Sequence, residues 1–166
     1  TLGEESDIES VQVAIRSLPY IGRETDVVRG LEVAIDALST ARDDAERIVF
    51  LVTDGMFKDN EGLGAVSERL HAVADSVFAL TAGPTAQQAP LKDLITVTQD
   101  SDNVFVAGNF QDLNSQRFES DLFTDVLCNC LEIPTDFLFV IDSSGSIDGS
   151  QWELMKKFVA NTASLL

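Results

Sequence analysis

Asp142, Ser144 and Ser146 stand at alternate positions of Asp142-Ser-Ser-Gly-Ser146, directly after the apolar run Phe137-Leu-Phe-Val-Ile141. A carboxylate and two hydroxyls are hard oxygen donors, the ligand chemistry of Mg²⁺, Ca²⁺ or Mn²⁺. The continuous apolar run predicts a buried strand, and a helical pattern begins near Ser150. A turn between the carboxyl end of a strand and a helix is where open α/β sheets hold their ligands. A phosphate would be repelled by Asp142, and no Gly-x-x-x-x-Gly-Lys sequence is present to cradle one.

Three other chemistries compete for this loop. Asp142, Ser144, Ser146, Asp148, Ser150 and Glu153 imitate the spacing of an EF-hand calcium loop, but Ile147 stands where the sharp turn needs glycine and a strand pattern precedes the loop. An aspartyl-phosphate nucleophile at Asp142, as in haloacid-dehalogenase-type phosphotransferases, would want a second Asp two residues on, where Ser144 stands. A serine hydrolase would want Gly-x-Ser-x-Gly and a histidine partner. The sole histidine, His71, falls in an amphipathic helical pattern and reads as a surface or interfacial residue.

Strand-Asp-x-Ser-x-Ser resembles the opening of a von Willebrand factor type A domain, or integrin I domain. Two further segments are similar to that family. Gly22-Arg-Glu-Thr25-Asp-Val-Val-Arg-Gly-Leu31 resembles its Thr loop leading into a helix, and Ile48-Val-Phe-Leu-Val-Thr-Asp54-Gly55 its later strand ending in Thr-Asp-Gly. Singly, Thr25 could be only a helix cap and Asp54-Gly55 only a turn. Together with Asp142, both would project from one edge of a parallel sheet.

The resemblance implies a metal-ion-dependent adhesion site made of Asp142, Ser144, Ser146, Thr25 and Asp54, holding a divalent cation, Mg²⁺ foremost with Mn²⁺ or Ca²⁺ as alternatives. Neutral hydroxyls would come from Ser144, Ser146 and Thr25, and carboxylates from Asp142 and Asp54, partly through water. A coordination position would remain for a partner's Glu or Asp. The implied function is non-enzymatic: an extracellular, secreted adhesion or matrix-assembly module whose partner is collagen or another matrix protein. A structural spacer with a vestigial site is the alternative.

The order of these pieces differs from that of an ordinary member, in which the Asp-x-Ser-x-Ser strand comes first. Residues 1–130 resemble the latter two-thirds of such a domain, 131–136 a linker holding Pro134, and 137–166 the first strand and first helix. The edge hairpin that normally joins those parts is not found. A circular permutant, a slice through two tandem domains, a strand-exchanged homo-oligomer and an unrecorded segment all remain open. Cys128 and Cys130, one residue apart, are poorly placed to bridge each other and too few for a zinc site. Bridges to another segment or partner and a pair of reduced thiols both remain open, and the extracellular setting implied by the family would favour the first.

The 166 residues, 45% of them hydrophobic, suit one α/β domain with a sizeable core. Eleven Lys and Arg against 28 Asp and Glu give a net charge of −17, which argues against nucleic acid and anionic membranes and favours cations or basic partners. No apolar run is long enough to insert across a membrane. The fold class expected is a doubly wound, mostly parallel sheet flanked by helices. Helices are predicted at 8–18, 28–38, 63–73, 91–95, 112–127 and 150–165, and strands at 48–53, 77–80, 104–106 and 137–141.

Overall fold

A computed structural model describes residues 8–57, 60–83, 91–115 and 134–164. Among them, four strands, β1 (Glu46–Thr53), β2 (Ser76–Ala82), β3 (Val104–Ala107) and β4 (Thr135–Ile141), form one sheet in the order β3-β2-β1-β4. Every pairing is parallel, so the fold is the doubly wound α/β class that the alternating pattern predicts. No antiparallel hairpin occurs among the described residues.

Strands β1 and β4 are separated by some eighty residues of chain and run in continuous register from Glu46 opposite Thr135 to Val52 opposite Ile141. The segment carrying Asp142 therefore folds back on the body that carries Asp54. Five α-helices are described: α1 (Ile8–Ser17), α2 (Val27–Leu38), α3 (Leu63–His71), α4 (Leu91–Thr98) and α5 (Gly149–Ala163). Alternating residues of each strand point to opposite sheet faces. On one face Phe50, Val52 and Leu80 meet Trp152, Met155, Phe158 and Val159 of α5. On the other, Val49, Leu51, Val77 and Ala79 meet Val27 and Leu31 of α2, Val66 and Leu70 of α3, and Leu94 and Val97 of α4.

Phe50 stacks between Phe78 and Phe139, with ring centroids 5.1 and 5.8 Å away, so an aromatic ladder crosses β2, β1 and β4 on the α5 face. Helix α5 starts with Asp148 accepting from the backbone N–H groups of Ser150 and Gln151, while the Gln151 side chain accepts from the Asp148 N–H. This reciprocal box satisfies donors that every helix N-terminus leaves open.

Three expectations need adjustment. Helix α4 continues to Thr98, because Leu94 and Val97 both have sheet to bury against. Helix α1, predicted at 8–18, ends at Ser17 and is only partly covered: its contacts run mainly to α5, and Ile8 and Val13 stay exposed. The predicted helix 112–127 begins as a short 3₁₀ turn at Asp112–Asn114. Its remainder, the linker up to Ile133 and both cysteines lie outside the described residues. Among those described, no helix is long and apolar enough to cross a membrane.

Arg42, in the turn after α2, fastens the start of β4. Its Nε donates to Asp136 Oδ1 at 2.9 Å, its backbone N–H to Oδ2 at 2.9 Å, and its guanidinium to the Thr135 carbonyl at 3.1 Å. Burial alone would push the Asp136 carboxyl up; the Arg42 hydrogen bonds and charge outweigh it and hold the group below the usual carboxylate range. The unfolded chain therefore binds more protons in the window between the two pKa values, and stability rises with pH through it. The Asp136 contribution is complete above the unfolded value of about 3.9 and is lost as pH falls through the folded one. Urea melts between pH 2 and 7 should show an acid limb that is flatter in Arg42→Ala than in the wild type; parallel limbs would show that the pair does not tie β4 down.

Candidate functional site

Backbone hydrogen bonds at the carboxyl end of the sheet bring three loops together. Asp142 follows β4 and its N–H donates to the Val52 carbonyl at 2.8 Å, extending the β4–β1 ladder one residue beyond the strand. The Gly22 N–H donates to the Ser143 carbonyl at 2.8 Å and the Gly145 N–H to the Arg23 carbonyl at 2.7 Å. These bonds lay the loop before α2, which holds Thr25, against the loop after β4.

Two glycines make that approach practicable. Gly22 has φ +64°, a left-handed conformation that side chains resist. A Cβ on Gly145 would stand 3.1 Å from the Gly22 carbonyl oxygen, a backbone atom that cannot swing aside. Tyr20 adds a clamp from the same loop, its hydroxyl donating to the carbonyl of Ile147 and, at 3.3 Å, to that of Ser144.

All five residues singled out in the sequence reach this end of the sheet. Asp142 Oδ1 accepts from the Ser144 N–H at 2.8 Å, and Oδ2 accepts from the Thr53 hydroxyl at 2.8 Å. The Ser144 and Ser146 hydroxyl oxygens lie 2.9 Å apart. Thr25 lines one cavity together with Asp142 and Ser144. Asp54, buried at the end of β1, accepts from the Met56 N–H at 3.0 Å, a turn-type bond that fixes its carboxylate.

The electrostatics are those of a site short of positive charge. Burial pushes the Asp142 carboxyl above its ordinary value, the hydrogen bonds from Thr53 and Ser144 oppose this, and the nearby Asp54 charge pushes it further up. The ionised form of Asp142 is disfavoured here, and a small hard cation would relieve that penalty. Asp142, Ser144, Ser146, Thr25 and Asp54 are the donors that fit such an ion. Among the described residues no group of three His, Cys, Asp or Glu side chains is placed to hold a metal ion.

Reading the sequence missed Thr53 and Tyr20 as positioning residues. Thr53 lies inside the Thr-Asp-Gly segment, so its place was visible; its hydroxyl takes the Gly55 N–H at 3.0 Å while donating to Asp142, coupling the two loops. Nothing in the sequence around Tyr20 marks it, because its partners are carbonyls some 125 residues away.

A family model for the von Willebrand factor type A domain matches residues 1–118, which include Thr25 and Asp54. The chain belongs to this family. The match ends before β4, so the Asp142 loop of this A-type domain is tied to it by the sheet pairing and the loop contacts above. The chain is 30% identical over 163 residues to the human (Homo sapiens) collagen alpha-6(VI) chain, covering 93% of itself and 7% of that protein. It is 28% identical over 151 residues to the mouse (Mus musculus) collagen alpha-5(VI) chain, covering 89% of itself and 5% of that protein. The A-type domain therefore spans less than a tenth of the curated relatives it matches. No solved structure matches the chain.

Proposed function

We propose that this A-type domain is a non-enzymatic adhesion module of the extracellular matrix, which engages a protein partner through a divalent cation, Mg²⁺ foremost. The observation that carries the proposal is the pair of backbone hydrogen bonds between Gly22-Arg23 and Ser143-Gly145, since these bring the Thr25 and Asp142 loops to one end of the sheet. Ser144, Ser146 and Thr25 would supply neutral oxygens, and Asp142 and Asp54 carboxylates. With so few anionic ligands, the ion stays attractive to a carboxylate of the partner. The net charge of −17 makes a direct acidic contact unfavourable without such an ion. The collagen names of the relatives support a matrix setting, with a collagen or another matrix protein as partner.

The aligned stretch of the human relative runs along 93% of the chain, so it takes in the Thr25, Asp54 and Asp142 segments in the order they have here. Neither an engineered permutation nor a rearrangement is needed to explain that order.

Capture of matrix proteins on immobilised A-type domain, with Mg²⁺ or with EDTA, tests the proposal. Partner binding should be lost in EDTA and with Asp54→Ala. Capture indifferent to both would leave a structural spacer with a vestigial site.

A further inference from the structure

A cavity of about 350 Å³ opens beside the candidate cation site, near the lower end of the range of ligand pockets. Thr25, Asp142 and Ser144 stand among its polar lining, with Arg23. Glu24, Asp26 and Arg29 also line it, and its apolar wall includes Val27, Gly30, Leu51, Phe57 and Val140, contributed by α2, β1, β4 and the segment after Asp54. Polar donors and an apolar wall in one cavity describe a two-part ligand.

Gly30 is the residue that the fold itself does not explain. It sits inside α2, where glycine is less favourable than alanine. Its φ is not positive, so no special backbone conformation requires it. A Cβ there would meet Val140 Cγ1 at 3.5 Å, ordinary van der Waals contact, so no clash forbids a side chain. What the missing side chain does provide is space between α2 and β4, at the wall of the cavity.

We infer that this cavity receives an apolar side chain of the partner, from a residue next to the carboxylate that completes the cation's coordination. The recognised feature is thus an aliphatic or aromatic residue beside Glu or Asp in a protein segment. The cation sets the orientation, drawing the carboxylate to it in a lining that holds acidic (Glu24, Asp26) as well as basic (Arg23, Arg29) side chains, while the apolar group faces Val27, Leu51 and Val140. This inference rests on the cation reading above and adds the specificity that a metal-bound carboxylate alone lacks, because every acidic side chain offers the same two oxygens.

The probes are acetyl-Gly-X-Glu-Gly-amide peptides with X as Gly, Ala, Leu or Phe, titrated by NMR into the whole chain in saturating Mg²⁺. The Leu or Phe peptide should bind at least ten times more tightly than the Gly peptide. Gly30→Leu, which fills the cavity, should erase that difference while Mg²⁺ affinity by calorimetry stays within two-fold of wild type; Gly30→Ala, which cannot harm the helix, should reduce it. Mg²⁺ binding with no dependence on X, or with a preference that survives Gly30→Leu, overturns this inference and leaves the cation reading standing. Absence of Mg²⁺ binding overturns both.

Discussion

Saturating Mg²⁺ is expected to raise the melting temperature of the A-type domain by about 5–10 °C, and Asp142→Ala should abolish the rise. A ligand present at a hundred times its dissociation constant stabilises the folded state by about 2.7 kcal/mol, and a chain of this size gains roughly 2–4 °C per kcal/mol. The source of the effect is the strain already built into the ion-free site. Burial disfavours the Asp142 carboxylate, and Asp54 adds a like charge. Because the folded pKa of this acid lies above the unfolded one, the native state binds the extra proton, and stability falls as pH rises through the window above about 3.9. The ion-free protein therefore carries this cost once the carboxyl ionises. Asp142→Asn keeps an acceptor for the Ser144 N–H and removes the charge, so in EDTA it should be at least as stable as the wild type while gaining nothing from Mg²⁺. Equal upward shifts for wild type and Asp142→Ala in calorimetric scans would reject the site, and an Asp142→Asn protein clearly less stable in EDTA would reject the electrostatic account.

The parts of this architecture that were legible in the sequence are those whose cause is local. Ile48–Thr53 and Phe137–Ile141 read as strands because a parallel strand buried on both faces needs a continuous apolar run, and both runs lie in observed strands. The helix predicted at 28–38 matches α2 because Val28, Leu31, Ile35 and Leu38 recur at helical spacing and so share one apolar face. Asp142, Ser144 and Ser146 announced themselves because hard oxygens at alternate positions after a strand have few structural uses.

What remained hidden depends on groups that every residue shares. The contact between the Thr25 and Asp142 loops is made by the backbones of Gly22, Arg23, Ser143 and Gly145, and backbone N–H and C=O groups carry no sequence mark. Amphipathicity was a partial guide on α1, since it shows which face is apolar but not how much surface is available to cover it. Ile8 and Leu18, the two ends of the predicted helix 8–18, are exposed. The cavity beside Gly30 was invisible because it is defined by an absent side chain between two elements more than a hundred residues apart.

Light scattering across a concentration series is expected to show this chain associating, with the outer edge of β4 as the contact. Phe137, Phe139 and Ile141 pack toward the α5 face, and Leu138 and Val140 toward the α2 face, so the strand is apolar on both sides. Such a strand suits a sheet interior with a neighbour on each side. Among the described residues it pairs with β1 alone, and every one of its side chains is only half-buried. Since the Asp142 N–H points at Val52, alternation along a parallel strand turns the backbone groups of Val140 and Leu138 toward β1 and those of Phe137, Phe139 and Ile141 outward. An apolar edge with a row of open donors and acceptors is a template for another strand. A strand exchanged with a second copy, or one contributed by an adjacent A-type domain, would satisfy it. The amides of Phe137, Phe139 and Ile141 should exchange quickly with deuterium in dilute solution and become protected at the concentrations where the mass rises, while those of Leu138 and Val140 stay protected throughout. A well-folded chain that remains strictly monomeric, with those three amides unprotected at every concentration, would mean that the edge of β4 is not an association surface.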